Sequence, residues 1–197
     1  TFIAAQFPIN GNERRQQALD NYLATFSGEP YGEIDITFLG PDTAALAEPG
    51  TVDAILSFRN VHNWMSGEFA EKAFADFHAA LKPGGVLGIV EHRLPSTMEQ
   101  DPRAGSGYVQ QDYVIAMAEE AGFVLEEASE INANPADTAD HPFGVWTLPP
   151  VARTSGFGEE PNPEFDRAPY DAIGESDRMT LRFRKPAADA PAEDAGE

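Results

Sequence analysis

Four short stretches of this 197-residue chain, at 2–7, 34–39, 52–58 and 86–90, are apolar almost from end to end. A strand that meets water on one face alternates apolar and polar residues; a strand without that alternation suits a parallel sheet covered on both faces. β-branched and aromatic residues are frequent in these runs, and each has the length of one strand. Between them lie three segments with the spacing of an amphipathic helix. Leu19, Tyr22, Leu23 and Phe26 mark the first, which starts at Asn12. Phe69, Ala73, Phe74, Phe77 and Leu81 mark the second, from Ser66. Val109, Tyr113, Ala116 and Met117 mark the third, from Ser106. Asn12 is placed to cap the first helix, and Gly28, Pro83-Gly84-Gly85 and Gly122 are placed to end the three. A short run at 123–125 and the alternating MTLRFR (179–184) complete the set, the latter reading as an antiparallel or edge strand. Strand and helix follow one another in the rhythm of a doubly wound α/β sheet.

In such a sheet, ligands bind outside the carboxyl ends of the strands. The run at 86–90 leads straight into Glu91, His92 and Arg93, and the run at 52–58 leads into RNVHNWM, residues 59–65. Two strand ends therefore offer Arg59, Asn60, His62, Asn63, Trp64, Glu91, His92 and Arg93 to one crevice. His62 or His92 has the chemistry to accept a proton near neutral pH. Asn60 can fix a polar substrate through its amide, and Trp64 can form a flat wall. The plainer alternatives are a hydrogen-bonded turn histidine and a Trp64 that packs under the following helix.

Composition narrows the chemistry. Thirteen Lys and Arg against 33 Asp and Glu give a net charge of -20, with no basic cluster, so a phosphate backbone would be repelled and no nucleic-acid partner is expected. No apolar run approaches the roughly 18 residues of a membrane span. There is no cysteine, and His62, His78, His92 and His141 show no metal-ligand spacing, so no metal is expected. HExxH, EF-hand, G-x-S-x-G and P-loop patterns are missing. The chain reads as one α/β domain over 1–185. It includes an acidic, Pro- and Gly-rich insert at 132–176 whose Phe143, Trp146, Phe157, Phe165 and Tyr170 suggest a packed flap or a lid. Residues 186–197 read as a disordered acidic tail.

The ordered set VDAILSF, helix, ALKPGGVLGIVEHR resembles the fourth and fifth strands of class I S-adenosylmethionine-dependent methyltransferases, where L-K-P-G-G commonly precedes the fifth strand. RNVHNW, AEEAGFVLEEASEI and DRMTLRFRKP together resemble a bacterial family of predicted methyltransferases in which R-N-x-H-x-W follows the fourth strand. The resemblance implies a Rossmann-like doubly wound methyltransferase sheet in the order 3-2-1-4-5-7-6, with residues 2–7 as the second strand and 34–39 as the third. The first strand and its glycine-rich loop have no counterpart in this chain, and Gln6 or Asn10 stands where the family has an acidic residue. Because the first strand is central in that order, a preceding N-terminal segment or a second chain is expected to complete the sheet; the start at Thr1 reads as a processed or trimmed product.

The function implied is methyl transfer from S-adenosyl-L-methionine to a small-molecule substrate. Gln6, Gly40, Pro41, Asp42, Ser57, Phe58 and Arg59 would bind the cofactor. His62, His92 and Asn60 would be catalytic, and Trp64, Glu91 and Arg93 would bind the substrate. A cytoplasmic location is expected solely because that cofactor is made there. The competing expectation is a non-catalytic binding protein on a degenerate methyltransferase fold, with a nicotinamide-dependent oxidoreductase third.

Overall fold

Strand β1 (Phe2–Gln6) and helix α1 (Glu13–Phe26) open the structure, a computed structural model that describes residues 2–187. Asn12 caps α1: its side-chain oxygen accepts from the backbone N–H groups of Arg14 and Arg15, two of the donors that a helix start leaves unpaired. Strand β2 (Ile34–Phe38) lies parallel to β1, with Phe2 opposite Ile34 and Gln6 opposite Phe38. Strand β3 (Val52–Phe58), helices α2 (Val61–Ser66) and α3 (Ala70–Ala80), and strand β4 (Leu81–Leu94) form a crossover unit in which β3 and β4 are parallel. Then come β5 (Val109–Gln110), helix α4 (Gln111–Glu120), β6 (Val124–Ser129), a 3₁₀ turn at Gly144–Thr147, helix α5 (Ala168–Ile173) and β7 (Arg178–Arg184). Strand β7 inserts antiparallel between β4 and β6, giving the order β3-β4-β7-β6, with β5 beside the end of β4; β1 and β2 form a separate two-stranded sheet.

Three elements differ from expectation. The helix expected from Ser66 to Leu81 is two helices, because the chain breaks at Gly67–Phe69, where Glu68 takes a positive φ of 58°. The helix expected from Ser106 begins at Gln111, since Val109 and Gln110 first pair with Arg93 and Leu94. The strand expected at 86–90 extends over Leu81–Leu94. Its Pro-Gly-Gly turn is a bulge where the register with β3 slips between Val52 and Ala54. Gly84 takes φ 77° there, a conformation that suits a residue without Cβ. The turn stays in the ladder because its polar groups are paired: Gly84 N–H donates to Lys185 O, and Lys185 N–H donates to Gly85 O.

Phe74 and Phe77 of α3 and Val114 and Ala118 of α4 pack on Leu87 and Ile89 of β4 and on Leu181 and Phe183 of β7. Burying each such large side chain is worth roughly 1.5–3 kcal/mol, so this face holds the main core. A smaller cluster joins Leu94, Tyr108, Ala139 and Val145 beneath the insert. The other face is thinner. Leu56 and Phe58 of β3 are 64% and 58% exposed, so this strand is not covered on both faces as its apolar run implied. No helix among the described residues is long and apolar enough to cross a membrane. All but the first two residues of the acidic tail expected at 186–197 lie outside the described residues.

Candidate active site

Because β3 and β4 are parallel and Phe58 stands opposite Val90, the residues that follow each strand emerge side by side. Arg59 N–H donates to Val90 O at 2.7 Å, and the Arg59 φ of 57° then turns the chain into α2. This turn carries His62 over the end of β4. His62 Nδ1 lies 2.9 Å from Glu91 Oε1, and His62 N–H lies 3.3 Å from Glu91 Oε2. The backbone N–H of His92 donates to Glu91 Oε1 at 2.8 Å. Glu91 is fully buried, and a buried carboxylate is tolerated when donors of this kind satisfy it. By accepting from Nδ1–H, Glu91 fixes the His62 tautomer and leaves the basic lone pair on Nε2. A carboxylate that orients an imidazole in this way equips it as a general base.

His92 stands beside this pair, its ring centroid 5.5 Å from that of His62. Its Nδ1 is 2.6 Å from Ser176 Oγ. Burial, and then the charges of His62, Arg59 and Arg178, push its pKa down to about 3. His92 is therefore a neutral hydrogen-bonding group at neutral pH. Arg178 is its cross-strand partner on β7.

His62 and His92 line a cavity of about 300 Å³ together with Phe58, Arg59, Asn63 and Arg178. The opposite wall comes from the insert: Val145, Trp146, Leu148, Pro149, Pro150 and Val151. Trp146 meets His62 edge-on at 6.1 Å. The single buried side-chain polar atom without a partner among the described residues is Arg178 Nε, so neither imidazole Nε2 is sealed from the cavity. A second cavity, of about 780 Å³, shares His62, Asn63 and Trp146 and continues toward Ser106, His141 and Phe157.

Of the residues singled out from sequence, the fold gathers Phe58, Arg59, His62, Asn63 and His92 on this cavity. Glu91 stands behind His62 rather than against a substrate. Asn60 is outside; its amide donates to Phe58 O at 3.3 Å. Trp64 is in the core, edge-on to Phe74 and Phe77, because α2 turns Val61, Trp64 and Met65 inward. Arg93 is committed elsewhere. Strand alternation places it on the face opposite His92, where Glu130 and Asp177 each take two of its N–H groups and hold its pKa above the ordinary arginine range. Gln6, Gly40, Pro41 and Asp42 lie at the carboxyl end of the β1–β2 pair and line neither cavity. A Cβ on Gly40 would sit 2.7 Å from Pro8 Cγ, which explains that glycine by close packing. Ser57 is buried within β3.

Sequence reasoning missed Glu175, Ser176 and Arg178 as site residues. Arg178 belonged to a motif read only as a strand, while Trp146 was visible solely as one aromatic of the insert.

His62, Glu91 and His92 also form the one group of three potential metal ligands among the described residues, their ligand atoms within 4.8 Å of one another. Spacing along the chain hides this cluster, since the tertiary fold creates it. Its carboxylate already accepts three N–H groups, and the charges of Arg59 and Arg178 act on the same site. The arrangement suits proton transfer better than a cation. For an adenosyl cofactor the residues fit in part: Phe58 and Arg59 supply one wall at the cavity mouth, while the glycine-rich cradle is not in this chain.

No family model and no curated protein sequence matches the chain. Solved structures do resemble it, at the level of the fold. One from Galdieria sulphuraria, described as a sarcosine dimethylglycine methyltransferase, superposes with a TM-score of 0.54 at 16% identity over 95% of this chain and 70% of that one. An S-adenosylmethionine-dependent methyltransferase from Methanosarcina mazei gives 0.51 at 8% identity over 94% and 82%. The [4+2]-cyclase SpnF gives 0.51 at 15% identity; 88% of this chain covers 61% of that one, so the chain spans less than two thirds of its length. The chain shares the fold of these structures, mixed α/β around a central sheet.

Proposed function

We propose that this chain carries the acceptor-binding part of an S-adenosylmethionine-dependent methyltransferase acting on a small molecule. The observation that carries the reading is the Glu91–His62 pair, a buried carboxylate 2.9 Å from an imidazole, at the ligand-binding end of two parallel strands. The cofactor, when bound, supplies an electrophilic methyl group. His62 Nε2 takes the proton from the acceptor's oxygen or nitrogen, and Glu91 stabilises the imidazolium that forms. His92, neutral and held by Ser176, is a hydrogen-bonding partner for the acceptor. Trp146 and its neighbours on the insert form the wall that faces His62 and His92.

The R-N-x-H-x-W family then acquires a physical meaning residue by residue: Arg59 faces the cavity, His62 is the base, and Trp64 anchors α2 in the core so that His62 stays over Glu91. The two sheets are read as halves of one sheet in the order 3-2-1-4-5-7-6, with a first strand and its glycine loop lying between β1 and β3. Support comes from the two open edges: among the described residues β1 pairs only with β2, and β3 only with β4. That strand would come from another part of the gene product or from a second chain.

Calorimetric titration of the full-length gene product with S-adenosylhomocysteine tests the cofactor. Binding is expected, and His62→Ala should slow methyl transfer by roughly 10²–10⁴-fold with little change in S-adenosylhomocysteine affinity. Absence of binding would favour a non-catalytic binding protein, the reading that the missing glycine loop supports.

A further inference from the structure

Lys and Arg number 13 against 33 Asp and Glu in this strongly acidic chain, yet two arginines converge on the 300 Å³ cavity. Arg59 and Arg178 both line it, and Glu175 is the single acidic side chain on its wall. Glu175 Oε2 is taken by Arg178 Nη2 at 2.6 Å. Arg59 makes no ion pair and no side-chain hydrogen bond among the described residues, so one guanidinium on this wall lacks a counter-charge. Arg59 is also held in the left-handed region, at φ 57°, a conformation uncommon for a side chain of its size. Strain of this sort persists where surrounding structure enforces it, and it gathers at ligand sites.

The rest of the cavity limits what could use these groups. Trp146, Leu148, Pro149 and Val151 make its far wall flat and apolar. A volume of about 300 Å³ stands at the small end of ligand sites. Glu91, behind His62, is occupied by three N–H groups, and Glu175 engages Arg178, so among the described residues the free guanidinium at the wall is that of Arg59, which suits one carboxylate better than a phosphate dianion. A divalent cation at His62, Glu91 and His92 would meet the charges of Arg59 and Arg178 beside it.

We propose that the cavity binds a small organic monoanion, a carboxylate on a flat apolar body, with the carboxylate between Arg59 and Arg178 and the body against Trp146. Charge-assisted bonds from a guanidinium to a carboxylate are short and directional. This names the acceptor class of the methyltransferase read above and rests on that reading for the reaction, although binding itself needs no cofactor.

Titration calorimetry of the full chain at constant ionic strength, with benzoate and phenylacetate against their uncharged amides, tests it. The carboxylates should bind at least about tenfold more tightly than the amides, and Arg59→Gln or Arg178→Gln should each remove about tenfold of that affinity. Equal affinity for carboxylate and amide, no binding by either, or carboxylate binding untouched in both variants would overturn the proposal. S-adenosylhomocysteine is titrated separately into the wild type. Carboxylate binding without S-adenosylhomocysteine binding leaves the anion site standing and sinks only the methyltransferase reading. S-adenosylhomocysteine binding without discrimination between carboxylate and amide does the reverse.

Discussion

His92 shows how one side chain ties the site to stability. Its pKa is pushed down to about 3, first by burial and then by the positive charges of His62, Arg59 and Arg178, whereas a free histidine titrates near 6.5. Between those two values the unfolded chain binds a proton that the folded chain does not. Stability from this residue is therefore complete above the unfolded value and is lost as pH falls toward the folded one. One such proton changes stability by about 1.4 kcal/mol per pH unit, or roughly 2–3 kcal/mol between pH 6.5 and pH 4.5. His92→Gln keeps a polar partner for Ser176 and removes the titration. Urea unfolding of both proteins at about pH 7 and about pH 4.5 should show the wild type losing roughly 2–3 kcal/mol more than the variant. Equal losses would show that the folded state accommodates a charged His92. Glu91 illustrates the complementary case, a buried carboxylate whose role is to hold another residue's proton in place.

At the scale of elements, the insert is held over the site by a buried polar knot. Asp137 accepts from Tyr108 O–H, from the backbone N–H groups of Ala139 and Asp177, and from His141, whose Nε2 is 2.7 Å away. These contacts join the insert to the segment before α4 and to the start of β7, next to Arg178. Removing a buried charge that several donors depend on leaves those donors unpaired, so Asp137→Ala should cost about 3–5 kcal/mol. Thermal unfolding checks the loss. Limited proteolysis should also cut faster within 132–176, with carboxylate binding weakened as the Trp146 wall loosens. Lowered stability with unchanged cleavage of the insert would show that Asp137 braces the sheet instead. Among the insert aromatics, Phe165 stacks on Tyr170 at 5.4 Å and lies 5.3 Å from Phe143.

Across the whole molecule, cohesion is uneven. Ala4 is the one buried residue of β1, and no residue of β2 is buried, while β4 and β7 carry Leu87, Ile89, Leu181 and Phe183 in the main core. A two-stranded sheet is marginal without further strands or a packed face. Hydrogen exchange on this chain should find β1 and β2 amides exchanging through low-energy local opening, and β4 and β7 amides only through global unfolding. In a full-length product that supplies a strand between β1 and β3, protection of β1 should rise toward that of β4. Protection of β1 equal to β4 in this chain alone would contradict the reading of two open edges.

Patterns with a short range along the chain were legible in the sequence. Continuous apolar runs and 3.6-residue periodicity depend on neighbouring residues, so strands and helices fell close to where they were read, Asn12 capped α1, and the end of the sheet that carries His62 and His92 followed. What neighbouring residues do not encode is phase. One step along β4 turns Arg93 away from the cavity that His92 faces, and two residues, about 200° of helix phase, separate His62 from Asn60 and from Trp64. Nor does local pattern reveal partners far apart in sequence: Ser176 meets His92 across 84 positions, and Glu91 meets His62 across 29. Those pairings exist because strand register and the path of the insert bring them together, which only the tertiary structure decides.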